Sequence, residues 1–170
     1  VLFNELLAEK REDYRLEKRY ITKQGQQKWI DLSVTTIRNS ENRIDYLVGV
    51  VVDITEQKQA SQNIAELNDF NSKIIEQSTL GIIVYNANGD CILANTAAGK
   101  IIGSPVKHLM MQNFYNIPYW EESGLLHHTL RCLDTGINQH GETHFTSTFN
   151  RDVWIDFDFV KIIRGGEQHL

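Results

Sequence analysis

The tripeptide Trp-Ile-Asp occurs twice in the chain, at residues 29–31 and again at residues 154–156, an offset of 125 positions (154 − 29). A motif that recurs at a domain-sized offset indicates two copies of one structural unit. After the first copy, the sequence continues through the apolar residues 46–52 into Asp53-Ile54-Thr55-Glu56. After the second copy it runs only to residues 164–170. We therefore expect the back part of one unit followed by the front part of another, as an internal piece of a longer tandem-domain protein.

Charge and cysteine usage narrow the classes of function. The net charge is −5, and basic residues never occur in runs longer than two, which argues against nucleic-acid binding. No apolar run approaches the roughly 18–20 residues that span a bilayer, so we expect no membrane contact within this segment. A parent protein can still be membrane-anchored elsewhere. Cys91 and Cys132 are solitary and lack the spacing of a zinc site or disulfide framework, which fits a reducing cytoplasm.

The first quarter of the chain predicts a short helix and a three-stranded antiparallel meander. Residues 1–12 have apolar side chains on one helical face, and residues 14–22 have a strand-like pattern. Gly25 supplies the turn into residues 28–38, which alternate between apolar and polar side chains. Residues 46–52 are almost continuously apolar and β-branched, as a central strand would be.

A long helix is predicted to follow, from Asp53 to about Ser78. Asp53 and Glu56 have the spacing of a capping box, and no glycine or proline occurs before residue 78. Two interpretations stay open: an amphipathic helix packed on its own domain, or a parallel coiled-coil dimer with a polar residue fixing the register. The heptad-like positions on which the second depends are Ala60, Ile64, Leu67, Asn71, Ile74 and Ser78.

The remaining residues predict the order strand, strand, several short helices, strand, strand. Residues 81–85 and 91–94 form a hairpin around an Asn-Gly turn, and Asn95 can cap a helix over 96–102 that Gly103 ends. Residues 105–123 are irregular and helical, and a further helix runs to Leu133. Two strands follow at about 140–149 and 153–163, and the Gly-Gly at 165–166 is predicted to be a hairpin turn.

Two sets of motifs resemble the PAS sensory domain family. The opening hairpin and first helix of a PAS domain are similar to residues 81–85, 88–90, 93–98 and 102–103. Its closing strands and exit helix are similar to Tyr20, Lys23-Gln24-Gly25, Trp29 and residues 49–58. The resemblance implies an α+β fold: a five-stranded antiparallel sheet with helices on one face, enclosing a ligand-sized cavity.

The resemblance also divides the chain into three parts. Residues 1–53 are the C-terminal part of a first PAS domain, residues 54–79 a linker helix, and residues 80–170 a second PAS domain that lacks its last strand. In the family, that strand lies centrally beside the first strand. We expect the vacancy to be filled by residues 46–52 or by a strand from another copy, because unpaired buried backbone groups cost about 1–3 kcal/mol each.

Two sites in the chain are candidates for signalling or helix capping. Asp53, Thr55 and Glu56 resemble the family's signalling junction, where the sheet passes strain into the linker helix. A plain helix cap satisfies the same geometry, and both roles can hold together. Asn95 is predicted to cap the first helix of the second unit.

A small-molecule pocket is a further hypothesis, with ordinary core packing as its alternative. The residues assigned to it are Tyr85, Met110, Phe114, Tyr115, Trp120, Leu130 and Trp154. His127 and His128 lie on the helix that carries the iron ligand in haem-binding members of the family. The Asn-Cys-Arg motif of flavin photoreceptors is absent, and Cys91 is predicted to be a core residue. We expect no cofactor, with haem or flavin as alternatives.

The resemblance implies a sensory module, and we expect it to be non-catalytic because no phosphate loop, metal-binding pair or nucleophile motif occurs. It would sense a small ligand or redox state and relay it through the linker helix to an output domain outside the chain, a histidine kinase or a diguanylate cyclase or phosphodiesterase. The partner expected is a second copy, through the helix or through strand exchange. The alternatives are a haem or flavin sensor and a ligand-free dimerisation spacer.

Overall fold

A computed structural model describes residues 2–170. The chain forms two compact units, one ending at Asp69 and the other spanning Phe70–Leu170. A helix of 23 residues, α2 (Thr55–Gln77), crosses the boundary between them. At 1.5 Å per residue this helix is about 35 Å long. It begins one residue later than the start of the predicted linker helix 54–79, and none of its residues is buried.

The first unit is the predicted meander. Its elements are α1 (Leu2–Leu7), β1 (Asp13–Ile21), β2 (Gln27–Arg38) and β3 (Ile44–Asp53), with the antiparallel order β1-β2-β3. Gly25 has φ of 79° in the turn between β1 and β2, as the sequence predicted. One face of β2 is buried with α1, because alternate side chains of a strand point the same way.

The second unit contains six strands paired as three hairpins, with helices between the first and second hairpins. Its elements are β4 (Ile83–Tyr85), β5 (Cys91–Ala94), α3 (Thr96–Ile102), α4 (Val106–Leu109), a 3₁₀ turn (Phe114–Asn116), α5 (Pro118–Glu122), α6 (Leu125–Thr135), β6 (Gln139–Thr146), β7 (Asp152–Phe159), β8 (Ile162–Arg164) and β9 (Glu167–His169). The mixed α+β class with antiparallel sheets is confirmed. The core lies between the helices and the inward side chains of β4, β6 and β7.

The last residues of the chain form a hairpin whose end pairs with β4. Gly165 and Gly166 have φ of 61° and 86° and form the predicted turn between β8 and β9. The amides and carbonyls of Tyr85 and Leu170 then exchange two hydrogen bonds of 2.9 Å. Such a mutual pair is the hydrogen-bonded pair of an antiparallel ladder. Residues 167–170 therefore already lie beside β4, where the closing strand was expected.

Candidate functional site

The start of α2 is tied to β2 by the side chain of Asp53. One carboxylate oxygen accepts a hydrogen bond from the Thr55 amide at 2.9 Å, and the other accepts from Lys28 Nζ at 2.9 Å. Hydrogen bonds from Thr55 and then from Lys28 lower the pKa of Asp53 from its usual 3.8 to about 2. The carboxylate is therefore charged at neutral pH and joins two elements of the first unit.

At the start of α2, the hydroxyl of Thr55 accepts the hydrogen bond of the Trp29 amide in place of the Ile54 carbonyl. Trp29 lies opposite Ile54, whose amide donates to the Trp29 carbonyl at 2.9 Å. The Ile54 carbonyl is taken by the helix, since it accepts from the Lys58 amide at 3.0 Å. The Trp29 amide donates instead to Thr55 Oγ1 at 2.9 Å. Thr55 thus continues the sheet ladder by one bond after the backbone has turned into the helix.

Glu56 does not complete the expected capping box. Within residues 2–170 its carboxylate makes no hydrogen bond back to the amide of Asp53. The helix begins at Thr55, so Glu56 is its second residue, whereas a capping box needs the glutamate at the third. Of the three proposed junction residues, the structure brings Asp53 and Thr55 together and leaves Glu56 exposed.

The last turn of α2 is tied to the second unit by Asn95, which is 0% exposed. Its Oδ1 accepts from the Ala98 amide at 2.9 Å, which makes it the N-cap of α3, and from the Ile82 amide at 3.0 Å. Its Nδ2 donates to the carbonyls of Ile75 and Leu80, both at 2.9 Å. One buried amide therefore satisfies four backbone groups in three chain segments.

A second contact lies beside the first. The carboxylate of Glu76 accepts a hydrogen bond from the Thr96 hydroxyl and another from the Thr96 amide, the latter at 3.3 Å. Because Thr96 is the first residue of α3, Glu76 also places a negative charge at the start of that helix. The end of α2 is thus held by two consecutive residues, through a backbone carbonyl and a side chain.

A cavity of about 470 Å³ lies within the second unit. Its walls are residues 79–83, the inward side of α3, the helices α5 and α6, and residues 155–160 along β7. Two phenols belong to the lining, Tyr85 and Tyr119, and burial raises the pKa of both, so each is neutral at physiological pH. An apolar wall with a few polar groups is the usual form of a small-molecule site.

The structure places two of the seven predicted pocket residues, Tyr85 and Trp120, in the cavity wall. Phe114 is fully buried behind them and makes ring contacts of 5.4 Å to Tyr85 and 5.3 Å to Trp120. The other four lie outside the cavity and are exposed: Met110, Tyr115, Leu130 and Trp154.

Sequence reasoning missed three aromatic residues of the cavity wall: Phe145, Phe157 and Phe159. The alternation along β7 was the available signal for Phe157, because it shares the inward phase of the strand with Val153. Tyr119 stacks on Phe145 at 4.3 Å across two elements that are distant in sequence, so no local pattern indicates that pair.

The two candidate haem ligands do not face the cavity. His127 is exposed, and His128 is half-buried with Nδ1 3.4 Å from Gln139 Oε1. The cavity-lining residues within the described part of the chain include neither histidine nor cysteine. The lining therefore offers neither a histidine nor a cysteine as an axial ligand for haem iron. Cys91 is a buried core residue, and burial raises the pKa of its thiol.

Residues 2–170 contain neither a metal-ligand cluster nor a helix that could span a membrane. No group of three or more histidine, cysteine, aspartate or glutamate side chains is placed to hold a metal ion. No helix in this range is both long and apolar enough to cross a membrane.

Two α+β units joined by a long helix, the second enclosing an apolar cavity, define a tandem sensory-domain architecture. Residues 2–51 and residues 69–170 each match the PAS fold, and the second match alone covers more than half of the chain. The chain therefore belongs to the PAS family, as the motifs predicted. PAS domains are generally non-catalytic sensory modules. No curated protein sequence matches the chain.

The chain is also similar to several solved structures. The chain is similar to a domain of the sensory box sensor histidine kinase/response regulator from Geobacter sulfurreducens, with 14% identity, a TM-score of 0.51, and coverage of 64% of this chain and 95% of that one. It is also similar to an RNA-binding Light-Oxygen-Voltage receptor, with 9% identity, a TM-score of 0.48, and coverage of 98% and 78%. A third is the E. coli DhaR(N)-DhaL complex, with 12% identity, a TM-score of 0.49, and coverage of 82% and 53%.

Proposed function

We propose that the second unit senses a small ligand or a redox state at its cavity and that α2 carries the response to an output domain outside this chain. The observation that carries the proposal is the position of Asn95 between the cavity wall and the helix. Leu80 and Ile82 both line the cavity, and Asn95 holds the carbonyl of one and the amide of the other. The same side chain holds Ile75 in the last turn of α2.

This connection gives a ligand a physical way to shift the helix. A ligand changes a conformational equilibrium only through its different affinities for the two states. An occupant that pushes residues 79–83 outward must either move Asn95, and Ile75 with it, or break hydrogen bonds inside a buried network. Both outcomes alter the last turn of α2.

The other end of α2 is suited to receive or pass on such a change. Thr55 and Asp53 join the first turn to β2 by hydrogen bonds of 2.9 Å, so rotation of the helix about its axis strains the sheet ladder at Trp29. A rigid element with both ends fixed by specific polar contacts can transmit a rotation or a shift in register.

A homodimer through α2 is part of the proposal. Ile64, Leu67 and Ile74 lie along the predicted heptad seam and are all exposed. Asn71 occupies the position that in parallel two-stranded coiled coils fixes register and oligomer state. The ligand proposed is a small, mainly apolar molecule that presents a polar group to the buried phenols. The alternative function is a dimerisation spacer that binds no ligand.

The output enzyme proposed is a histidine kinase, or a diguanylate cyclase or phosphodiesterase, in keeping with the family. A similar domain from Geobacter sulfurreducens belongs to a sensor histidine kinase/response regulator, which supports the first of these. A cytoplasmic location is proposed from the two cysteines, which are free and buried.

Filling the cavity in two matched variants tests the relay. Leu125 lines the cavity near the start of α6, while Leu130 lies on the same helix outside it and is exposed. We expect Leu125→Trp to increase hydrogen exchange of the backbone amides at residues 75–82 severalfold, and Leu130→Trp to leave it unchanged. Mass spectrometry of peptides from this region measures both. If Leu125→Trp changed exchange only within α6, the proposed relay would be wrong.

A further inference from the structure

The two Trp-Ile-Asp hairpins have the same cross-strand register. In β1–β2, Arg19 lies opposite Trp29 and Glu17 opposite Asp31. In β6–β7, His144 lies opposite Trp154, and Glu142 lies opposite Asp156. All four positions are related by the same offset of 125, as 144 − 19 and 142 − 17 show. The two outer faces can therefore be compared residue by residue.

In the first unit this face holds a lysine. Lys58, one turn into α2, lies with Nζ 5.6 Å from the centre of the Trp29 ring and 2.5 Å from Glu17 Oε2. The guanidinium of Arg19 also lies 5.6 Å from the Trp29 ring. The ammonium therefore makes a cation–π contact and an ion pair together, and these contacts fix the helix over the sheet.

In the second unit the same pair of groups has no cation between them. Trp154 is 75% exposed and stacks only on His144, with ring centroids 4.3 Å apart. Glu142 is exposed and has no ion pair with any residue in the described range 2–170. Directly opposite it stands Asp156, and like charges at facing positions of a ladder repel. A cation between Trp154 and Glu142 would relieve this repulsion.

The surface around Glu142 is also negatively charged. Asp156 and Asp158 lie on the outer face of β7, so two exposed carboxylates accompany Glu142, while Asp152 on the same face lies with Oδ1 2.6 Å from His144 Nε2. The face is therefore complementary to a positively charged partner and repels an acidic one. The large exposed indole adds an apolar anchor, the kind of side chain that dominates binding at protein interfaces.

We infer that Trp154 and Glu142 form a docking site for a helix that carries a lysine one turn from its N-terminal end. The lysine takes the position that Lys58 takes on the first unit, with its ammonium over the indole and against the carboxylate. This site lies on the outer face of the β6–β7 hairpin and does not depend on the proposed role of the cavity.

The test tethers a suitable helix to the whole chain. A second copy of residues 53–77 is joined after Leu170 through a flexible Gly/Ser linker, which raises its local concentration to the millimolar range. The readout is the set of indole N–H signals in an ¹⁵N NMR spectrum, one for each of Trp29, Trp120 and Trp154. We expect the Trp154 signal to shift, while the buried Trp120 signal stays constant and reports an intact fold.

Two variants identify the contact. Lys58→Gln in the appended copy alone should lower the docking equilibrium about 5- to 30-fold, because it removes a cation–π contact and an ion pair together. Glu142→Gln in the second unit should lower it only about 2- to 5-fold, because it removes the ion pair alone. Pairing of the appended helix with α2 would leave the Trp154 signal unmoved and would overturn the inference. A shift of equal size with the glutamine copy would overturn it as well, because it would show docking without the ammonium.

Discussion

Replacing Asn95 with alanine tests whether one buried amide holds the end of α2 in place. The change removes the acceptor of the Ala98 and Ile82 amides and the donor to the Ile75 and Leu80 carbonyls. A buried group left unpaired costs about 1–3 kcal/mol, and a lost N-cap costs about 1 kcal/mol. Because losses within one hydrogen-bond network are not additive, we expect a total of about 3–4 kcal/mol.

That loss is large for the second unit. A domain of about 100 residues loses about 4–8 °C of Tm for each kcal/mol, so its Tm should fall by at least about 12 °C. Trp120, which is 6% exposed in the core, reports unfolding of this unit alone when Trp29 and Trp154 are replaced by phenylalanine. Urea unfolding followed by its fluorescence therefore measures the free energy of the second unit without the first.

Asn113 provides the matched control. It caps the 3₁₀ turn by accepting from the Tyr115 amide at 3.0 Å, and its Nδ2 donates to the carbonyl of Asn88 at 2.7 Å and to the carboxylate of Asp90 at 2.8 Å. This network is open to solvent, so water can replace the lost bonds, and Asn113→Ala should cost only about 1 kcal/mol. If Asn95→Ala cost no more than Asn113→Ala, the reasoning about a buried network would be wrong.

Three more outcomes concern α2. Because the pKa of Asp53 is lowered to about 2, its stabilising effect is complete above the ordinary pKa of 3.8 and is lost as the pH falls towards 2; Asp53→Asn should flatten that part of the stability profile in urea titrations from pH 5 to 2. Thr55→Val should destabilise the first unit by about 1–3 kcal/mol in urea unfolding, while Thr55→Ser should restore most of the loss; equal losses would contradict the role of the hydroxyl. Ile64→Lys with Leu67→Lys should abolish dimers in sedimentation experiments, whereas Ser72→Lys, away from the heptad seam, should leave them; an unchanged mass in the double variant would count against the coiled coil.

The secondary structure was largely predictable because it depends on local patterns. The alternation of residues 28–38 predicted β2, and Gly25 predicted the turn before it. The absence of glycine and proline between residues 53 and 78 predicted α2. In each case the cue lies within one element, where side-chain period and backbone conformational preferences act directly. The same holds for Asn95, whose place between a strand and a helix indicated a cap.

The cavity wall was less predictable because it depends on how separate elements pack. Tyr115 lies in an aromatic-rich stretch, but its ring covers the turn at Gly89, where an added Cβ would lie 2.6 Å from Tyr115 Cδ2. The sequence alone is enough to exclude Trp154 from the residues that line the cavity. In the first repeat Ile30 is an inward residue, so Trp29 points outward, and the offset of 125 assigns the same direction to Trp154.

The exposure of α2 is the strongest physical argument for a second copy. A helix of 23 residues with no buried side chain gains little stability from its own chain, since most helical stability in proteins comes from packing of an apolar face. Its two ends are nevertheless fixed by specific polar contacts, through Thr55 at one end and Asn95 at the other. Polar contacts at the ends set the direction and rotation of the helix but bury none of its apolar seam. In the proposed homodimer, a second α2 in parallel register would cover the seam of Ile64, Leu67 and Ile74 and would place Asn71 opposite Asn71.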